Sequence, residues 1–131
     1  MIAVLDTNAY SDWRRFGHWN SLIARAEKII VPAIVLGELR SGFLRSARAR
    51  ENERKLVRFL GEKLVVIGLV GDETSHHYAI LKNHLRTHGK PIPEADVWIA
   101  AIAVGHAALL LTRDRHFENL PQVRLADIKE A

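Results

Sequence analysis

The sequence predicts an α/β fold, a three-layer α/β/α sandwich around a central, mostly parallel sheet of about four or five strands. Short apolar runs with the length of buried strands alternate with longer segments whose apolar residues recur at helical spacing. Strands joined through helices pair in parallel, and the helices then cover both faces of the sheet. A length of 131 residues suits one domain with its own hydrophobic core, which we expect to span residues 1–131.

The first half of the chain supplies two predicted strands and three predicted helices. Residues 2–5 are apolar, too few for a helix and followed by polar residues, so they predict a buried strand, with Asp6 or Thr7 capping a helix behind it. "EKIIVP" predicts a second strand ending at Pro32, which suits the first position of the helix "PAIVLGELRSGFLRS". Residues 49–60 are amphipathic and predict another helix, ended by Gly61.

The second half continues the alternation. "KLVVIGLV" predicts a third strand, and "DETSHHYAILKNHLRTHG" predicts a helix capped by Asp72 and ended by Gly89. "PEADVWIAAIAVGHA" opens with Pro93 and acidic residues and is then apolar nearly all round, which predicts a central, buried helix. "ALLLT" predicts a fourth strand, "RDRHFENLP" an irregular connection, and "VRLAD" a short strand at the edge of the sheet.

Composition excludes several classes of protein. The chain has no cysteine, so disulfide frameworks and zinc-thiolate sites are excluded. No apolar run has the length of a bilayer span, and the first residues lack the pattern of a signal peptide, so we expect a cytoplasmic protein without a membrane partner. The net charge of +4 is compatible with a polyanionic partner.

Four acidic residues are placed to meet at one edge of the predicted sheet. Asp6 follows the first strand directly, and Asp114 follows "LLLT" after one residue; carboxyl ends of parallel strands share an edge, where sites form. Glu38 lies about two turns into the helix that starts near Pro32, and Asp96 lies in the first turn of the apolar helix. Taken singly, each acid is explained as a cap, turn residue or surface charge.

Together, the four acids predict a metal site. Carboxylates crowded together repel one another and favour the protonated form unless a cation compensates. Oxygen ligands without cysteine or a fixed histidine pair favour Mg²⁺ or Mn²⁺. Such ions activate water and stabilise charge on a phosphoryl group, so phosphodiester hydrolysis is the predicted reaction.

Four motifs in the chain identify a family. "VLDTN", "GELRSG", "IPEADVWIAAIA" and "LLLTRDRHF", in this order and at these intervals, resemble the PIN-domain ribonucleases, most closely the VapC toxins of bacterial and archaeal toxin–antitoxin pairs. The resemblance covers nearly the whole chain. It implies a PIN-like fold and a metal-dependent ribonuclease whose ligands are Asp6, Glu38 and Asp96. Asp114 is then a fourth acid that binds metal directly or through water.

The resemblance also implies supporting residues and partners. Thr7, Asn8 and Thr112 match positions that orient the acids, whereas Ala95 stands where similar proteins often have asparagine. The implied partners are an RNA substrate, a second copy of the chain in a homodimer, and an antitoxin resembling VapB. The tail of that antitoxin would cover the groove, and operator DNA would be contacted through the antitoxin alone.

Arginines near the predicted site are candidates for RNA contact. Residues 40–58 contain seven cations, Arg40 and Arg45 among them, and only two acids. A further arginine, Arg113, directly precedes Asp114. Arginine pairs bidentately with phosphate, although such charge runs are also typical of solvated helix faces. Two alternatives to the metal nuclease are a non-catalytic RNA-binding or scaffold module with a structural cation, and a small phosphohydrolase with an aspartyl nucleophile. The second alternative usually needs another aspartate two residues later, where this chain has Asn8.

Overall fold

A five-stranded parallel sheet forms the centre of the fold. The computed structural model describes residues 1–131, and its strands lie in the order β3-β2-β1-β4-β5. All four neighbouring pairs are parallel, which confirms the predicted α/β class. The strands are β1 (Ile2–Leu5), β2 (Lys28–Pro32), β3 (Val65–Gly68), β4 (Leu109–Leu111) and β5 (Arg124–Leu125).

Six α-helices flank the sheet. They are α1 (Thr7–Phe16), α2 (Asn20–Arg25), α3 (Ala33–Leu44), α4 (Ala49–Leu60), α5 (Asp72–His88) and α6 (Glu94–Gly105). The helix α2 has no counterpart in the sequence prediction. It begins after Trp19, whose backbone is left-handed at φ 68° and whose side chain caps nothing, so the usual start signal is missing. None of the helices combines the length and the apolar character that a bilayer span requires.

The structure corrects two local predictions. Gly71, not Asp72, precedes α5 as its cap, and the Thr74 hydroxyl accepts the Gly71 N–H at 3.1 Å. Asp72 is instead the first residue of the helix. The segment predicted as an irregular connection contains a 3₁₀ helix at Arg115–Asn119, which Asp114 caps, and a second 3₁₀ helix follows at Ile128–Glu130. Short 3₁₀ turns have no apolar periodicity by which a sequence reveals them.

The core explains why the candidate site forms at the carboxyl edge of β1. Val97 and the stretch from Ile99 to Ala103 are buried, as predicted for the apolar helix. The strand β1 lies between β2 and β4, and the Asp6 N–H donates to the Leu111 carbonyl at 3.4 Å. The first polar residues after β1 and β4 are therefore neighbours.

Candidate active site

Asp6 is a buried carboxylate at the end of β1. Only 5% of Asp6 is exposed. Its carboxylate caps α1, because Oδ1 accepts the Ala9 N–H at 2.7 Å. Burial raises the pKa of Asp6 from 3.8 to about 6; hydrogen bonds from Thr112 and Ala9 oppose this effect, and the charges of Asp96 and Asp114 add to it. An ionised Asp6 is thus costly in this position unless a cation lies nearby.

Thr112 joins two of the predicted acids. It is the first residue after β4 and is 6% exposed. Its hydroxyl donates to Asp6 Oδ2 and accepts the Asp114 N–H at 2.9 Å. Asp114 in turn accepts the His116 N–H at 2.9 Å and so caps the 3₁₀ helix. One buried hydroxyl therefore links the carboxylate that follows β1 to the backbone that follows β4.

Glu38 is brought to the same place by a contact between α1 and α3. The Thr7 hydroxyl donates to Glu38 Oε1 at 2.6 Å. Glu38 is exposed, unlike Asp6, so its carboxylate reaches the site from the solvent side. This hydrogen bond is the kind of contact by which Thr7 would orient an acid, as the sequence predicts. Asn8 lines the site, but its side chain makes no hydrogen bond to an acid.

Asp96 enters from the first turn of α6. Its side chain is 17% exposed, and burial raises its pKa, an effect that the charges of Asp114 and Glu38 strengthen and that His116 opposes. The apolar helix leaves Asp96 at its N-terminal end, where the helix dipole stabilises a negative charge. Helix packing and helix dipole together make a half-buried acid tolerable there.

His116 belongs to the site and was missed by sequence reasoning. Its Nδ1 lies 3.1 Å from Asp114 Oδ1 and 3.5 Å from Asp96 Oδ2, and half of the side chain is exposed. The signal was the spacing, because the backbone N–H two residues after a capping aspartate bonds to its carboxylate and so keeps that residue close to it. In "RDRHF" this residue is a histidine.

All four predicted acids line one cavity of about 250 Å³. Its ten lining residues include His116 but neither lysine nor arginine, so no permanent cation balances the carboxylates. The possible ligand atoms of Asp96, Asp114 and His116 lie within 4.8 Å of one another, while Asp6 and Glu38 lie outside this closest group. Carboxylate oxygens are the ligands that Mg²⁺ and Mn²⁺ prefer, and the raised pKa values of Asp6 and Asp96 indicate that the cavity disfavours their ionised forms unless a cation compensates.

The predicted RNA-contacting arginines differ in their surroundings. Arg40 makes a bidentate pair with Glu53, with its closest contact at 3.0 Å, so its guanidinium is already occupied. Arg45 donates to the Ser41 hydroxyl at 3.1 Å. Arg113 is exposed and has no ion pair. None of these three lines the acid cavity.

Proteins similar to this chain are ribonucleases by name. Ribonuclease VapC4 of Mycobacterium tuberculosis is 32% identical over 99 residues, which cover 75% of each chain. Ribonuclease VapC2 of Rickettsia felis is 30% identical over an alignment that covers 95% of this chain and 96% of that protein.

Solved structures and a family profile agree with these relatives. VapBC2 of Rickettsia felis, a crystal structure bound to a DNA fragment from its promoter, superimposes with a TM-score of 0.83 at 28% identity over 96% of this chain and 98% of the other. VapBC-1 of nontypeable Haemophilus influenzae has the same fold, with a TM-score of 0.86 at 22% identity over 98% and 99%. The PIN domain profile matches residues 3–123, and the chain therefore belongs to the PIN domain family.

Proposed function

We propose that this protein is a metal-dependent ribonuclease that hydrolyses RNA phosphodiester bonds as the toxin of a toxin–antitoxin pair. The observation that carries the proposal is the convergence of four carboxylates in one cavity that contains no lysine or arginine. Relatives named as ribonucleases, at 30% and 32% identity, support the choice of RNA as substrate. In this proposal residues 1–131 act as one PIN-like domain.

The proposed ligands of Mg²⁺ or Mn²⁺ are Asp6, Glu38, Asp96 and Asp114. These residues would hold a divalent cation, whose chemistry when bound would be to lower the pKa of water and to offset charge on the phosphoryl oxygens. Thr112 and Thr7 hold their carboxylates by the hydrogen bonds described above, which fixes the oxygens before substrate binds. Such fixed partners orient ligands at metal sites generally.

The acids themselves have no role as nucleophiles in this proposal. Asn8 stands at the position where an aspartyl phosphohydrolase usually needs a second acid. In this proposal water is the attacking group, and the carboxylates would hold the cation. Arg45 and Arg113 remain candidates for contact with RNA. Arg40 could contact RNA only after its ion pair with Glu53 is broken.

The proposed partners follow from the relatives. The VapBC2 structure joins a toxin of this fold to an antitoxin and promoter DNA. By analogy, we propose that this chain forms a homodimer, that an antitoxin resembling VapB covers its site, and that operator DNA is contacted through the antitoxin.

The test is cleavage of single-stranded and structured RNA by the purified protein with Mg²⁺ or with EDTA. Asp6→Asn and Asp96→Asn are each expected to lower the cleavage rate by more than about a hundredfold, since loss of a ligand exceeds the effect of losing a residue that orients one. Asp127→Asn, which removes an exposed carboxyl outside the cavity, is the control. Cleavage that persists in EDTA and in both site variants contradicts the proposal, and trapping of a covalent phosphoenzyme would indicate an aspartyl nucleophile.

A further inference from the structure

A second, basic pocket is lined in part by α1 and α3, the two helices that also contribute to the acid cavity. It has a volume of about 360 Å³ and lies between α1 and the turn that joins α3 to α4. Four of its nine lining residues carry positive side chains, and none is aspartate or glutamate. We call this site the basic pocket, defined by Arg14, Arg15, Arg48 and Lys55.

Most of the charge in the basic pocket is not neutralised within the fold. Lys55 pairs with Glu51 at 3.2 Å, but the three arginines have no carboxylate partner. Arg40, on the hairpin of α3 and α4, differs from these arginines because Glu53 binds its guanidinium bidentately. Uncompensated guanidinium groups around a concavity favour an anionic ligand, and their planar donors match phosphate.

The pocket is also partly preorganised. The guanidinium of Arg14 lies 4.8 Å from the centre of the Trp13 ring, a contact that restricts the side chain before any ligand binds. Ser46 and Asn52 add neutral hydrogen-bonding groups to the lining, and the buried Tyr10 adds its ring and hydroxyl. This mixture differs from a fully solvated charged face, in which arginines have no common concavity.

The basic pocket and the acid cavity are both lined by residues of α1 and α3. Thr7 and Glu38 line the acid cavity and join α1 to α3. Arg14 follows Thr7 by two turns on the same face of α1, which places it about 10 Å further along the helix axis. A chain of phosphates entering the acid cavity meets net negative charge there, so cations on its path would stabilise binding.

We propose that the basic pocket binds backbone phosphates of single-stranded RNA next to the bond that is cut. This proposal rests on the proposed ribonuclease function and deepens it, because it assigns the contact with RNA to Arg14 and Arg48, on two different elements, instead of Arg40. Arg15 and Lys55 contribute to the field of the pocket. Contacts of this kind hold the strand in register and carry no sequence information.

The experiment measures RNA affinity against salt concentration in EDTA, where binding is separated from cleavage. The probe is a fluorescein-labelled, unstructured single-stranded RNA, and the variant is Arg14→Ala combined with Arg48→Ala. Because each contact with a single-strand phosphate contributes about 0.7 to the slope of log affinity against log salt, the double variant is expected to bind more weakly with a slope reduced by about 1.4. The matched control combines Arg124→Ala and Lys63→Ala, which remove two exposed cations outside both cavities, and its slope should equal that of the wild type.

Each outcome decides the assignment. A slope unchanged by the pocket variant, with native unfolding and near-ultraviolet circular dichroism, overturns it; if affinity for the cognate antitoxin falls instead, the pocket receives an acidic protein segment. Equal loss in the control variant also overturns it, since net charge alone then explains the binding. Wild-type protein that shows the expected slopes in EDTA but cleaves no RNA with Mg²⁺ or Mn²⁺ refutes the ribonuclease function and leaves the phosphate site standing.

Discussion

The buried carboxylate of Asp6 should make the metal-free protein less stable as the pH rises. Asp6 has its pKa raised from 3.8 to about 6 in the folded state. Between these two values the folded chain holds a proton that the unfolded chain has lost, so stability is greatest below the lower value and falls as pH rises through the higher one. The difference corresponds to roughly 3 kcal/mol of unfolding free energy, and Asp6 is buried enough that solvent screening does not reduce it substantially.

The substitution Asp6→Asn tests this cost directly. Asparagine can still cap α1 through its carbonyl oxygen, but its amide cannot accept the Thr112 hydroxyl in the place of Oδ2, a loss of about 1 kcal/mol. At about pH 8 the variant is therefore expected to be more stable than the wild type by about 2 kcal/mol, and at about pH 3 less stable by about 1 kcal/mol.

Urea unfolding in EDTA across this pH range measures the effect. The two stability curves should cross, whereas Asp127→Asn should follow the wild type at every pH. A cation at a hundred times its dissociation constant stabilises the wild type by about 2.7 kcal/mol, and Asp6→Asn should gain much less if Asp6 is a ligand. If the unfolding free energies of wild type and Asp6→Asn change in parallel with pH, or if the variant is less stable at both low and high pH, burial does not raise the pKa of Asp6 as described.

Two further substitutions probe the support of the site and the packing of the sheet. Thr112→Val removes the hydroxyl that holds Asp6 and should lower Mn²⁺ affinity, measured by titration calorimetry, by about 10- to 100-fold; an unchanged affinity would count against a positioning role. Gly68→Ala places a Cβ 2.8 Å from Ile30 Cγ2 and 3.0 Å from Ile102 Cγ2 and should cost about 1–3 kcal/mol in urea unfolding. Gly37→Ala, with open space around the added methyl group, should instead stabilise the fold by about 0.5–1 kcal/mol. If both glycine substitutions change the unfolding free energy equally, crowding at Gly68 is not the cause.

The fold was predictable wherever burial produced a clear pattern. The strand β1 is apolar over its whole length and the helix α6 is apolar after its acidic first turn, and both were placed correctly from the sequence. The helix α2 was missed because Trp19, fully buried and left-handed, starts it without a cap. Its formation is set by packing against the rest of the core, which a local sequence pattern does not contain.

The candidate site was predictable in its acids and less so in its cations. Asp6 and Asp114 follow strands, so topology brings their carboxylates to one edge. His116 and the basic pocket depend on where a 3₁₀ turn and the α3–α4 hairpin point, which spacing along the chain does not determine. Arg40 illustrates the difference: the sequence shows an arginine near the site, and only the structure shows Glu53 holding it.

Asp6 shows why helix capping and metal binding are compatible explanations of the same residue. From the sequence alone, a carboxylate after a strand is a cap or a ligand, and the cap is the commoner case. In the structure Oδ1 accepts the Ala9 N–H and Oδ2 accepts the Thr112 hydroxyl. An ionised carboxylate has about four lone-pair sites, so each oxygen retains one for a cation. The cap and the threonine thus fix the carboxylate in place without using up its capacity to bind a cation, and the raised pKa reflects the cost of burying the ionised form beside other carboxylates.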